Sequence, residues 1–125
     1  MVITRAARAP RFELDGFHFL GLTAPSRGAT ELCTWQLEIE PGVTSDAHRL
    51  THEEVFLPLQ GTLQVVVDGE EIEVAAGDAL TVPARSLLQV ANRSNEVSRV
   101  LVCIAAGFKA MHADGREIGT PPWAQ

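Results

Sequence analysis

Apolar and polar residues alternate most regularly between Glu31 and Glu40. Cys33, Trp35, Leu37 and Ile39 share one parity, and Thr34, Gln36, Glu38 and Glu40 the other. Successive side chains of a strand point to opposite faces, so this period predicts a half-buried strand, stopped by Pro41-Gly42. Short apolar runs surround it. Phe12 to Leu22 is interrupted by Asp15-Gly16, a two-residue turn, and Thr23 to Thr30 reads as a loop from its Pro25, Ser26 and Gly28. Thr62 to Val67 and the alternating Glu71-Ile72-Glu73-Val74 flank Asp68-Gly69, a strong hairpin signal. Ala76-Gly77-Asp78 makes the next turn, and Ala79 to Val82 a further strand ended by Pro83. Leu87 to Ala91 and Arg99 to Ala105 are apolar at nearly every position, which predicts burial on both faces, core on one and a subunit interface on the other. No run has helical period over a useful length. Many short strands with Gly/Pro turns predict an all-β sandwich or barrel.

The ends of the chain follow no such period. Residues 1–11 are Ala/Arg-rich and read as an arm docked on the domain or on a partner subunit; residues 31–105 carry the barrel. Residues 108–125 read as a surface tail pinned by Trp123. A length of 125 residues suits one domain with a core that needs no disulfide or metal staple. The net charge of -6 and the lack of any basic run argue against nucleic acid or an acidic membrane as partner. No apolar run is long enough to span a bilayer. The opening residues Met1 to Pro10 lack the apolar core of a secretory signal, so a cytoplasmic location is expected. Cys33 and Cys103 sit in apolar runs without a nearby partner and are expected as buried, reduced thiols.

Candidate chemistry concentrates between Pro41 and Gly61. His48, Leu50, His52 and Glu54 share one parity and would face one side of an extended segment. Two imidazoles and a carboxylate on one face suit either metal binding or proton transfer, and Leu50 among them fits neither.

The same stretch carries a resemblance. It supplies Gly42, five residues, His48, one residue, Leu50, three residues, Glu54, six residues, Gly61. Downstream come Gly77, five residues, Pro83-Ala84-Arg85, two residues, Leu88, three residues, Asn92. In spacing and order these resemble the two motifs of the cupin superfamily, small single-domain jelly-roll barrels, over roughly Trp35 to Ile104. The resemblance implies a jelly-roll barrel, and the family habit of pairing implies a homodimer. It also implies a metal site of three histidines and one glutamate at four motif positions, holding iron, manganese, nickel or zinc. This chain keeps His48 and Glu54 at two of them and has Leu50 and Leu88 at the others. Arg85 stands where the family has glycine.

Three functional readings follow. The first is a barrel without metal or other cofactor that binds a small organic molecule, hydrophobic or aromatic, lined by Trp35, Leu50, His52, Phe56 and Leu88. In it His48 and Glu54 form an acid–base pair of the kind a metal-independent isomerase, epimerase or cyclase uses. The second is a metal-dependent dioxygenase or isomerase with a rearranged His48, His52 and Glu54 set. The third is a non-catalytic ligand sensor. His18 and His112 lie outside both motifs and are expected at the surface.

Overall fold

Twelve strands form in the computed structural model, which describes all 125 residues. They are β1 (Arg11–Leu14), β2 (Phe17–Thr23), β3 (Leu32–Ile39), β4 (His48–Leu50), β5 (Glu54–Gln60) and β6 (Thr62–Val67), followed by β7 (Glu70–Ala75), β8 (Leu80–Val82), β9 (Leu88–Ala91), β10 (Ser98–Ala105), β11 (Ala110–His112) and β12 (Glu117–Gly119). One antiparallel sheet runs β1-β2-β3-β10-β5-β8, the other β12-β11-β4-β9-β6-β7. This is the all-β class that the strand pattern predicts and the jelly roll that the resemblance implies. The only helical pieces are three-residue 3-10 turns, and no helix is long and apolar enough to cross a membrane.

The core lies between the sheets. Cys33, Trp35, Leu37 and Ile39 of β3 turn inward as their parity requires, beside Val100, Val102 and Ile104 of β10 and Phe56 of β5. Leu63, Val65, Leu88 and Val90 complete it from the second sheet. Each large apolar side chain buried this way contributes about 1.5–3 kcal/mol relative to exposure. On β10 the outward residues Leu101 and Cys103 are only half-buried, so the expected two-sided burial is one-sided within a single chain. The reason is position: β10 lies between β3 and β5, whose hydrogen bonds cover its edges but not its outer face. Cys33 is buried, Cys103 is half-buried, and neither is in a disulfide.

Turn chemistry fixes the registers. Asp15-Gly16 and Asp68-Gly69 both place two successive residues at positive φ (47° and 87°, 49° and 84°), the geometry that suits tight hairpins. Asn92, at the end of the second motif, is buried. It donates to the carbonyls of Ile39 (2.9 Å) and Glu96 (2.6 Å) and accepts from the amide and hydroxyl of Ser94, tying the loop after β9 to β3. Arg85 takes the glycine-like conformation of its motif position, φ 67°, despite its side chain.

The tail departs from expectation. Rather than a surface segment, residues 108–124 put Phe108 and Ala124 in the core and add β11 and β12 to the edge of the second sheet. Arg27 donates to the Trp123 carbonyl (2.9 Å), and the Ser26 amide to that of Gln125 (3.2 Å). The first residues, before the 3-10 turn Ala6–Arg8, are largely exposed and carry no regular structure.

Candidate functional site

Glu54 opens β5, paired with Ile104 of β10 on one side and Val82 of β8 on the other. A central strand in a sheet must point alternate residues into the barrel, and the parity that buries Phe56 buries Glu54 too, leaving it 4% exposed. Its carboxyl makes no hydrogen bond to any protein group. Burial alone pushes its pKa up to about 8 from an ordinary 4.5, so at neutral pH it holds its proton. A neutral carboxyl is both a hydrogen-bond donor and an acid.

His48 comes from β4, which sits between β11 and β9 and pairs it with His112 and Leu88. Its Nδ1 lies 2.9 Å from the carbonyl oxygen of Asp46. A carbonyl can only accept, so Nδ1 carries a proton and the neutral ring keeps its lone pair on Nε2. That is the form of a base.

Both side chains line one cavity of about 300 Å³, at the lower end of the range of small-molecule sites. Leu50 and Phe56 extend the wall on their own strands, and Trp35, Leu37 and Val102 form its floor on β3 and β10. Of the residues expected to line a ligand site, Trp35, Leu50 and Phe56 stand on the wall of this cavity. Leu88 is not. It is 1% exposed and fills the core instead of lining the space. A larger depression of about 450 Å³ lies on the outer face of β1 to β3, among His18, Gln36 and Glu38; it contains neither motif residue.

His52 also departs from the parity argument, which assumes an unbroken strand. The chain bends between β4 and β5. Thr51 donates its amide to the Lys109 carbonyl (3.0 Å), and its hydroxyl accepts from the Lys109 amide (2.8 Å). The same hydroxyl shares a 2.8 Å hydrogen bond with His52 Nδ1, leaving that ring exposed and off the cavity wall. No three His, Cys, Asp or Glu side chains converge as a metal-ligand group anywhere in the chain. With Leu50 projecting into the cavity, Leu88 in the core and His52 outside, the residues present do not fit a centre of three or four protein ligands.

Four aromatic residues at the cavity were not legible as site residues. Phe17 and Phe19 reach it from β2, Phe108 from the segment after β10, and Trp123 from the C-terminal 3-10 turn. Trp123 stacks on Phe19 (centroids 3.7 Å, planes 11° apart) and meets Trp35 edge-on at 6.4 Å. Its indole Nε1 is buried without an acceptor. Period-two burial in Phe12 to Leu22 is the signal for the two phenylalanines; nothing local marks Trp123. Asp46, two residues before His48, is also on the wall, as is Asp15 of the first hairpin turn.

Comparisons with known proteins agree with this architecture. The family model of the cupin domain matches residues 35–104. A protein of Mycobacterium tuberculosis named beta-D-galactosidase Rv1717 is 30% identical over 109 residues, 84% of this chain and 94% of that protein. The tetracenomycin polyketide synthase protein TcmJ of Streptomyces glaucescens is 31% identical over 105 residues, 82% of this chain and 70% of its own. Among solved structures, a cupin-superfamily sugar phosphate isomerase from Silicibacter pomeroyi superposes with a TM-score of 0.67 at 25% identity, over 80% of this chain and 67% of that one.

Proposed function

This chain belongs to the cupin family, and from that footing we propose that it binds a small aromatic molecule and acts on it by metal-independent acid–base chemistry of isomerase or cyclase type. The observation that carries the reading is Glu54: a buried, unpartnered, protonated carboxyl on the same apolar cavity as a histidine whose tautomer is fixed. Environments that drive two titratable groups apart are how one site holds an acid and a base together.

The chemistry would run as follows. His48 Nε2 removes a proton from carbon next to a ligand carbonyl, and Glu54 gives its proton to the carbonyl oxygen, so an enol forms without free charge on the ligand. Where the ligand carries a β,γ double bond the enol is a dienol, and delivery of the His48 proton to its γ carbon, with Glu54 recovering the enol hydroxyl proton, moves the double bond and completes an isomerisation. If the enol carbon instead attacks a second carbonyl in the same molecule, a carbon–carbon bond forms and a ring closes. In that case the His48 proton ends on the new alkoxide oxygen, and the enol hydroxyl proton returns to Glu54. Apolar walls exclude water, which strengthens both proton transfers. The isomerase and polyketide synthase names among similar proteins support this class of reaction.

One observation favours a second reading. Asp46 shares the cavity with Glu54, and an acid with a second carboxylate is the equipment of glycoside hydrolysis, consistent with the name of the mycobacterial relative. The mainly apolar, aromatic wall weighs towards the first.

Deuterium exchange into the α-carbons of 2-tetralone, a neutral bicyclic ketone, tests the proposal. The protein freed of metal by chelation should accelerate exchange, and His48→Ala should lower the acceleration about 10²–10⁴-fold. Exchange that vanishes on chelation and returns with iron or zinc would establish the metal-dependent reading. Hydrolysis of a nitrophenyl β-galactoside without any exchange would favour the second reading, and binding without turnover would leave only a sensor.

A further inference from the structure

The cavity wall contains Asp15, Asp46 and Glu54 but no lysine or arginine. Six of the chain's ten cations are engaged elsewhere, and the other four, Arg5, Arg8, Arg11 and Arg85, are also off the wall. Arg93 pairs with Glu71, Arg99 with Glu38, Lys109 with Glu117 and Arg116 with Asp114. Arg27 is tied to the carbonyls of Leu22 and Trp123. Arg49 sits on β4 between the cavity residues His48 and Leu50, and period two sends it the other way. There it donates to the carbonyls of Ala113 (3.1 Å) and Arg85 (2.8 Å).

The acidic residues, by contrast, are uncompensated. Asp15 and Asp46 are exposed, and neither carboxylate has a salt bridge or side-chain hydrogen bond. Leu14 and Ile118, also on the wall, are more than half exposed, so this acidic pair stands with them at the mouth. Deeper in, Glu54 is 4% exposed and reaches the cavity without a protein partner. Its carboxyl is free to pair with a ligand hydroxyl or carbonyl. Around it stand the faces and edges of Phe19, Trp35, Phe56, Phe108 and Trp123, and aromatic faces carry negative partial charge.

We infer that this cavity selects its ligand by charge: it takes an uncharged aromatic molecule bearing a hydroxyl or carbonyl and turns away phosphorylated or carboxylated ones, with Asp15 and Asp46 setting the selection at the mouth. The inference rests on the proposal that this cavity is the ligand site, and it goes further by excluding a class. A sugar phosphate, the substrate type in the name of the similar isomerase, would bring two negative charges to a wall with no lysine or arginine to receive them. Recognition of phosphate ordinarily draws on arginine, lysine or a cluster of backbone amides. Like charge at an entrance also slows encounter, since potential acts before contact is made.

The test compares 2-naphthol with 2-naphthyl phosphate, which share a ring system and differ in charge at pH 7. Binding is followed by quenching of Trp35 and Trp123 emission and by calorimetry. At low ionic strength the phosphate should bind at least about tenfold more weakly than the naphthol, and the gap should narrow in 0.5 M salt, where the Debye length falls to roughly 4 Å. The double variant Asp15→Asn, Asp46→Asn should narrow the gap in the same direction without salt. Asparagine is well suited to the positive φ of position 15 and neither carboxylate holds the fold, so the variant should fold. Equal or tighter binding of the phosphate would overturn the charge selection while leaving the cavity as a ligand site. An unchanged gap in the double variant would remove Asp15 and Asp46 from it. Failure of both compounds to quench or release heat would overturn the ligand-site proposal itself, and the selection with it.

Discussion

Two parts of the chain line the same cavity, and they are held in place by different means. The motif strands β4 and β5 bring His48, Leu50, Glu54 and Phe56, held by central pairing in both sheets. The terminal regions bring Phe17 and Phe19 from β2, Ile118 from β12 and Trp123 from the last turn, held by aromatic stacking and a few hydrogen bonds to backbone. In the proposed reaction, proton chemistry belongs to the first set of residues, and most of the aromatic shape to the second. On that reading the motif spacing carries the acid and the base, while the ligand they would meet is chosen largely by residues outside the motifs.

The largest effect is expected at Glu54. In the native chain it keeps its proton up to about pH 8, whereas in the unfolded chain it releases it near 4.5. Between those values the folded state binds more protons than the unfolded one, so stability falls as pH rises through the window and is flat on either side of it. The full difference is on the order of 5 kcal/mol, from roughly 1.4 kcal/mol per unit of pKa. Glu54→Gln keeps the shape and removes the titration. Urea unfolding at several pH values should show the variant nearly matching the wild type at pH 4.5 and exceeding it by several kcal/mol at pH 8. Parallel profiles would mean that Glu54 is not held protonated, and the acid in the proposed pair would be lost.

Trp123 is the corresponding point in the second set. Its stack on Phe19 and edge contact with Trp35 close one side of the cavity, so Trp123→Ala removes both packing and wall. Replacing a large packed aromatic costs about 3–5 kcal/mol when it is fully buried, and Trp123 is partly exposed, so about 3 kcal/mol is expected in urea unfolding. His48→Ala should cost less than about 1 kcal/mol by the same measurement, since His48 is half-exposed and makes one hydrogen bond. If His48→Ala proved the more destabilising, the motif wall would be structural and the division of labour would fail.

What the sequence made legible follows the range of the interactions involved. Strand parity placed Cys33, Trp35, Leu37 and Ile39 because alternation is a property of neighbours. Motif spacing placed His48 and Glu54 because each stands at the start of a regular strand. His52 escaped the parity argument because the bend at Thr51 is made by hydrogen bonds to Lys109, a residue 58 positions away. Leu50 and Leu88 read alike as substitutions, yet one lines the cavity and the other fills the core; only the packing of the two sheets separates them. Trp123 was legible as the residue that pins the tail but not as part of the cavity, since its partners Phe19 and Arg27 lie about a hundred residues upstream.

Arg85 offers the smallest and sharpest change. The chain has kept the backbone of a glycine position while losing the glycine, since Arg85 stands at φ 67°. Its amide donates to the Leu50 carbonyl (2.8 Å) and its carbonyl accepts from Arg49 (2.8 Å), so the turn before β9 is braced against β4, the strand that carries His48. Those two bonds involve backbone only on the Arg85 side, and its side chain has no partner of its own. The left-handed region costs an L-residue about 1–2 kcal/mol that glycine does not incur, while glycine loses more backbone entropy on folding, about 0.5–1 kcal/mol. The balance favours Arg85→Gly by up to about 1 kcal/mol in urea unfolding, with the β4 contacts intact. Arg85→Pro should go the other way and by more, because it removes the amide that Leu50 accepts from and cannot adopt positive φ. Stabilisation by proline, or marked loss of stability on Arg85→Gly, would show that the guanidinium rather than the turn geometry holds β4 in place.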